Sequence, residues 1–361
     1  MSEVSASTTR DRVRLVAEGL ANRPGTGIRT EVDLWALLRL ELGHEEVLDR
    51  AVLREGHWQR ALAPSLIYHV CASNLAVSAE TSLALGLVLG SRLAFKLPSS
   101  GLPGFTDLVA SLPVVLRERV QLLPVHDPAV MARAGAVVVF GNEDTVAALH
   151  RETRWDQMFV AYGPKLSLGW VLPGTVPELW APAAASEIRA FGQAGCLSPQ
   201  AYLCPNGEEA GHFAEALAAA LEAAGPPPTG SGGDAAGIRQ ARLRAAARGD
   251  RLWQSGNPSG WTVVLRQDPR IEPGPGGGYI EVVPSQDPAL LEPWRGRISA
   301  VSVSGERVPE EWVASWGRLG IGRVCRMGDL QEPPLLWRHD GGMRLAPLVR
   351  WIACDPGTEV G

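Results

Sequence analysis

Between Ser65 and Pro98 the chain sets two short apolar runs, SLIYHVC and LAFKLP, on either side of a longer stretch of small residues from Ala76 to Gly90. The runs have the length of strands and the stretch between them the length of a helix, so the spacing predicts strand, helix and strand in succession. Strands joined through a helix lie parallel in one sheet, and such a sheet is covered by helices. An α/β fold with a Rossmann-like layer follows. The pattern recurs at Gly135 to Asn142, GAVVVFGN, a buried strand ahead of a helix from Thr145 to His150. In open sheets of this kind ligands lie beyond the carboxyl ends of the strands, where Asn74, Lys96 and Gly141 fall.

Residues 1–60 carry helical periodicity, divided into two helices at Asn22-Arg23-Pro24-Gly25. Farther on, a helix is expected to end near Phe191, a strand to run from Ala201 to Cys204, and an alanine-rich helix to span Glu208 to Ala224. A low-complexity loop at 226–233 and an arginine-rich helix from Ala236 follow, and then short strands at Trp261–Leu265, Tyr279–Val283 and Ile298–Val303. The 361 residues suit two domains. We place the first at 1–183, the second at 184–335, and a C-terminal segment, 336–361, that returns to the first domain or to a partner subunit.

Composition excludes several classes. A net charge of -5 is wrong for a nucleic-acid surface, which needs a basic face against phosphates. The longest apolar run, Leu83 to Phe95, is broken by Arg92 and too short to span a membrane, and MSEVSASTTRDR contains no apolar leader region. The five cysteines are scattered, with no CxxC pair and no zinc spacing, so no metal is expected and a reducing cytoplasm suits them.

One of them stands apart. Cys196 lies in FGQAGCLSPQ, among small residues and ahead of a proline, in the loop between a helix and a short apolar strand. A thiolate attacks carbonyl carbon well and needs open space around sulfur, which Gly192, Ala194 and Gly195 leave. Cys196 is the candidate nucleophile. Cys204, at the end of its strand, reads as core, His44 and His57 read as surface residues, and His212, on a helix face, reads as structural rather than as a base.

The segment around Cys196 resembles the acyl-CoA reductases of the aldehyde dehydrogenase superfamily, specifically the LuxC-like fatty acyl reductases of bacterial bioluminescence. HVCASNLAVSAETSLALGLVLGSRLAFKLPSSG from His69, VVVFGNEDTVAAL from Val137, and HDGGMRLAPLVRWI at the end of Gly320 to Ile352 are similar to the same family in the same order. The resemblance implies an aldehyde dehydrogenase-like fold, two Rossmann-like α/β domains with the active site between them. It also implies a reaction, the reduction of an acyl thioester on coenzyme A or a carrier to an aldehyde, through an acyl group held on Cys196. NADPH is the implied cofactor, with NADH as the alternative.

Residue roles follow from the same comparison. Asn74 matches the asparagine whose amide, with the backbone N–H of the cysteine, holds the oxyanion, although the proline normally two positions later is Ala76; Asn74 is equally suited to cap the following helix. Lys96 with Ser99 and Ser100 resembles the stretch whose lysine contacts the adenosine ribose. Gly141 stands where the superfamily has Gly-Ser near the pyrophosphate, with Asn142 in place of the serine. At the point where acid-forming relatives carry the water-activating glutamate, this chain has Ala161, which favours reduction over hydrolysis. Implied partners are an acyl-supplying or aldehyde-accepting enzyme and a second copy of the chain. A cysteine acyltransferase or thioesterase, or a catalytically degenerate subunit, are the competing readings.

Overall fold

The computed structural model describes residues 6–21, 23–73, 76–225, 235–257, 260–356 and 358. The chain divides into two compact units, one of residues 1–164, 332–338 and 342–361, the other of residues 165–331 and 339–341.

The first unit opens with α1 (Thr9–Leu20) and α2 (Glu31–Leu42), each started by a threonine; Thr30 and Asp33 form a capping box at the second. The helical periodicity expected over residues 1–60 stops at Leu42. An antiparallel hairpin follows, β1 (Val52–Arg54) and β2 (His57–Leu62), too short and too polar to show alternation in the sequence. Its turn, Glu55-Gly56, has both residues at positive φ, 50° and 82°, which matches the twist of paired strands.

The parallel layer comes next: β3 (Leu66–Val70), α3 (Ala76–Leu89), β4 (Arg92–Lys96), α4 (Pro103–Ser111), α5 (Val114–Arg117), β5 (Val120–Leu123), α6 (Pro128–Arg133), β6 (Ala136–Phe140), α7 (Glu143–Glu152) and β7 (Met158–Tyr162). Among the described residues the strands pair in the order β5-β4-β3-β6-β7, all parallel. Helix α3 is apolar on every side, and its residues from Ser82 to Leu89 are buried. It is covered on one side by α1, whose Arg12 donates from Nε to the Val88 carbonyl at 2.9 Å, occupying an acceptor that the helix end leaves open.

The second unit holds β8 (Leu166–Trp170), α8 (Pro177–Arg189), β9 (Pro199–Leu203), α9 (Gly207–Ala223), α10 (Ala235–Ala247), β10 (Arg251–Gln254), β11 (Thr262–Leu265), β12 (Tyr279–Val283), β13 (Ile298–Val303), α11 (Glu310–Arg318) and β14 (Arg323–Arg326). Its sheet runs β10-β11-β12-β9-β8-β13-β14, parallel except for the antiparallel β10–β11 pair. β8 is hydrogen-bonded to both β9 and β13, so the division falls at Pro164/Lys165, ahead of the 183/184 boundary expected from the sequence. Gly169 in this strand is required by packing: a Cβ there would lie 1.9 Å from the Tyr202 ring.

The C-terminal segment, apart from 339–341, groups with the first unit. β15 (Arg350–Cys354) pairs antiparallel with β2. Ahead of it, the buried Glu41 carboxylate on α2 accepts from the backbone N–H groups of Arg344 at 2.7 Å, Leu345, and Ala346 at 3.2 Å. Replacing the carboxylate strands buried donors, a loss of about 1–3 kcal/mol. Glu41→Ala is expected to lower the urea midpoint accordingly, with an unchanged slope.

Candidate active site

Cys196 sits in the loop between α8 and β9, half-buried. The backbone reaches it through three consecutive left-handed residues: Phe191 (φ 52°), Gly192 (φ 61°) and Gln193 (φ 61°). Glycine adopts that region freely, whereas phenylalanine and glutamine do so at a cost that the surroundings must offset. At Gln193 the offset is visible. Its buried amide donates to the carbonyls of Pro199 at 2.8 Å and Tyr279 at 2.9 Å, and its Oε1 accepts from the Gly278 N–H at 2.8 Å. Gln193 thereby ties the loop to β9 and β12.

The far side of the loop is held as firmly. The Gly195 N–H donates to Ser198 Oγ at 3.1 Å and the Ser198 N–H returns to the Gly195 carbonyl at 3.0 Å. Ser167 Oγ on β8 donates to the Cys196 carbonyl at 2.8 Å. Gln331 Nε2 donates to the carbonyls of Glu187 and Leu197 at 3.2 and 3.1 Å and to Ser198 Oγ at 3.2 Å. Behind it, the Glu187 carboxylate on α8, 1% exposed, accepts from Tyr202 Oη at 3.0 Å, Ser302 Oγ at 2.9 Å, and the N–H groups of Gly328 at 2.6 Å and Leu330 at 3.2 Å. Burial nevertheless raises this carboxyl to about 7, outweighing the four hydrogen bonds.

The Cys196 thiol is pushed up to about 11, first by burial and next by the negative charge of Asp340. The backbone N–H groups of Cys196 and Leu197 and the charge of Lys165 act in the other direction. Lys165 Nζ lies 3.5 Å from Asp340 Oδ2, and Ser299 Oγ donates to Asp340 Oδ1 at 3.0 Å. Asp340 occupies a left-handed position (φ 55°) in a 3-10 turn, His339–Gly341.

In the first unit, Lys96 ends β4 and Gly141 follows β6; these are the two neighbours of β3, so both residues flank the carboxyl end of that strand. Lys96 is half-buried and Ser99 exposed in the turn after it. The Gly141 N–H donates to the Tyr162 carbonyl at 3.2 Å, so that donor is taken within the fold. Asn142 caps α7, its side chain accepting from the Thr145 N–H at 2.8 Å. Cation, hydroxyl and bare backbone at one strand edge fit the ribose and phosphate oxygens of a dinucleotide. The acidic Glu143 and Asp144 in the first turn of α7 oppose a phosphate at that particular point. Asn74 lies outside the described residues.

A family model described as acyl-CoA reductase (LuxC) matches residues 28–351. The chain belongs to this family. Among curated proteins no sequence matches. Solved structures with the same fold include an aldehyde dehydrogenase C mutant from Pseudomonas syringae in complex with NAD+ and octanal, at 11% identity, covering 99% of this chain and 85% of that one, with a TM-score of 0.69. An aldehyde dehydrogenase from Mycobacterium tuberculosis complexed with NAD+ is 13% identical over 96% of this chain and 82% of its own, TM-score 0.69. The NADP-dependent glyceraldehyde-3-phosphate dehydrogenase from Bacillus halodurans, complexed with NADP, is 12% identical over 97% and 84%, TM-score 0.69. The fold of this acyl-CoA reductase family member is that of the aldehyde dehydrogenases.

Other residues of this LuxC-family chain fall into place as structure. Glu281, a carboxylate on β12, is 2% exposed and bound to Arg266 at 3.0 Å, so it is part of the core. Cys204 is fully buried, and His212 is on the exposed face of α9. The residues that sequence reasoning missed are Glu187, Gln193, Gln331, Lys165 and Asp340. Gln193 and Asp340 lie in stretches that carry the family resemblance, FGQAGCLSPQ and HDGG, but with no role given to them; Glu187 left a lone acid on the buried face of an alanine-rich helix, and Lys165 and Gln331 left no signal.

The Glu187 carboxyl is raised from an ordinary 4.5 to about 7. The fold therefore holds a proton there that the unfolded chain releases, a contribution complete below about pH 4.5 and lost as pH rises through 7. Glu187→Gln removes this dependence. In urea titrations the wild type is expected to lose about 1–3 kcal/mol relative to the variant between pH 5 and 8.

Proposed function

We propose that the protein reduces an acyl thioester, on coenzyme A or a carrier protein, to an aldehyde through an acyl group bonded to Cys196. The observation that carries this reading is the fixed Cys196 loop within a chain of the acyl-CoA reductase family. The Cys196 thiolate adds to the thioester carbonyl, and the negative charge on oxygen is met by the loop's own N–H groups and, as the resemblance implies, by the Asn74 amide. Collapse breaks the bond to the departing thiolate, which takes up a proton, and leaves a new thioester on Cys196.

A nicotinamide cofactor, when bound, supplies the hydride that converts this thioester to an aldehyde. Lys96, Ser99, Gly141 and Asn142 are the residues proposed to hold it, with NADPH as the preferred donor and NADH as the competitor. Release of the aldehyde breaks the carbon–sulfur bond and restores the thiolate. The position matched to the water-activating glutamate is Ala161, exposed on β7, so the acyl group waits for hydride instead of hydrolysing. Such a reaction calls for an acyl-supplying enzyme before it and an aldehyde-accepting one after it. The five cysteines are free thiols, consistent with the proposed cytoplasmic setting, and among the described residues no helix is long and apolar enough to cross a membrane.

The test is intact-protein mass after mixing with acyl-CoA thioesters of graded length, with no cofactor. An acyl increment is expected on the wild type and not on Cys196→Ser. Adding NADPH discharges it with one equivalent of aldehyde, and NADH does so more slowly. Release of free acid without cofactor would establish a thioesterase instead, and a folded protein that never acquires an acyl mass would sink the reductase reading.

A further inference from the structure

The strands β8, β9 and β13 are parallel neighbours, so the segments that lead into them share one edge of the second unit's sheet. Lys165 immediately precedes β8, Cys196 lies three residues ahead of β9, and Ser299 is at the start of β13. Asp340 is brought to the same edge by its turn: Ser299 donates to Oδ1, and Lys165 faces Oδ2. The side chains of Lys165 and Asp340 are 16% and 15% exposed, an ion pair largely withdrawn from water. In such surroundings a charge acts on its neighbours more strongly than at a surface.

We propose that Lys165 and Asp340 form the charge pair that sets the reactivity of the Cys196 thiol, Lys165 as counter-charge to its thiolate and Asp340, held by Ser299, as the opposing charge. The proposal rests on Cys196 as the reactive thiol. Neither residue is assigned bond-making chemistry; both act through sulfur and are positioning residues. The charged and titratable groups on the elements around the loop are Lys165 ahead of β8, Asp340 and His339 in the 339–341 turn, Glu178, Glu187 and Arg189 on α8, Tyr202 on β9, Tyr279 and Glu281 on β12, and Arg297 ahead of β13. The Glu187 carboxylate is engaged with Tyr202, Ser302, Gly328 and Leu330. The two charges that act on the thiol are Asp340, which raises its pKa, and Lys165, which lowers it by less. Opposite signs on a single sulfur make the pair separable by experiment.

The experiment is the rate of Cys196 alkylation by iodoacetamide from pH 6 to 10.5, read by mass spectrometry of the Cys196 peptide in the full-length protein. Lys165→Met is expected to slow alkylation at pH 8 by about three- to tenfold and to move the profile to higher pH. Lys165→Arg keeps the charge and the wild-type profile. Asp340→Asn is expected to speed alkylation by about three- to tenfold and to move the profile to lower pH. Profiles of Lys165→Met and Asp340→Asn that move together, or not at all, overturn the proposal. If Lys165→Met does not fold, the sign of the Asp340→Asn shift decides alone. Acylation of wild-type Cys196 by acyl-CoA is measured beside it. Opposed shifts without acylation would keep the charge pair and discard the reductase reading, whereas acylation without shifts would do the reverse.

Discussion

A buried carboxylate organises the ground beneath the candidate nucleophile. Glu187 gathers donors from β9, from β13 and from the segment after β14, which are otherwise remote in sequence. Removing water from a carboxylate is costly, and four well-directed donors are what make the position tolerable. The consequence is geometric. α8 is held against the sheet where its chain turns into the Cys196 loop, and Gln331 carries the same network on to Leu197 and Ser198.

Strain and support coincide in that loop. Phe191 and Gln193 occupy a backbone region that favours glycine, and such conformations persist only when the surroundings over-determine them. Gln193 contributes three hydrogen bonds to β9, β12 and Gly278 from one side chain. A loop fixed from both sides presents sulfur, and the N–H groups beside it, in one arrangement. The same enclosure pushes the thiol up to about 11, so charges at its rim matter for how readily it ionises.

The first unit solves a different problem with simpler means. Its strand order sets β4 and β6 on either side of β3, and this alone brings Lys96 and Gly141 to one edge although 45 positions, from 96 to 141, separate them in the chain. The C-terminal strand β15 closes onto β2, with Glu41 capping the approach. Most of this unit was legible beforehand. The short apolar runs and the small-residue helix can do little else than build a parallel layer, because their lengths and burial demand it. The β1–β2 hairpin was not legible, since its strands are brief, polar and stabilised by a partner nearly 300 residues later.

The sequence by itself determined the α/β class, the parallel layer, the location of Cys196 in a loop before a strand, and through its resemblance the acyl-CoA reductase family. Those properties are local: apolar run lengths, small residues beside a cysteine, a turn residue at a strand end. Tertiary structure alone decided that Glu187, Gln193 and Gln331 hold the loop, that Glu281 is bound in the core, and that Lys165 and Asp340 meet at the edge where Cys196 lies. A charged or amide side chain has no periodic signature, and its partners are chosen by strand order and burial rather than by distance along the chain. Nothing in KLSLGW or HDGG by itself tells that a lysine and an aspartate 175 positions apart, 165 and 340, will face each other across 3.5 Å. The parallel sheet brings Lys165 and Ser299 to one edge, because strands far apart in sequence begin there, and the Ser299 hydrogen bond seats the turn of Asp340 against it.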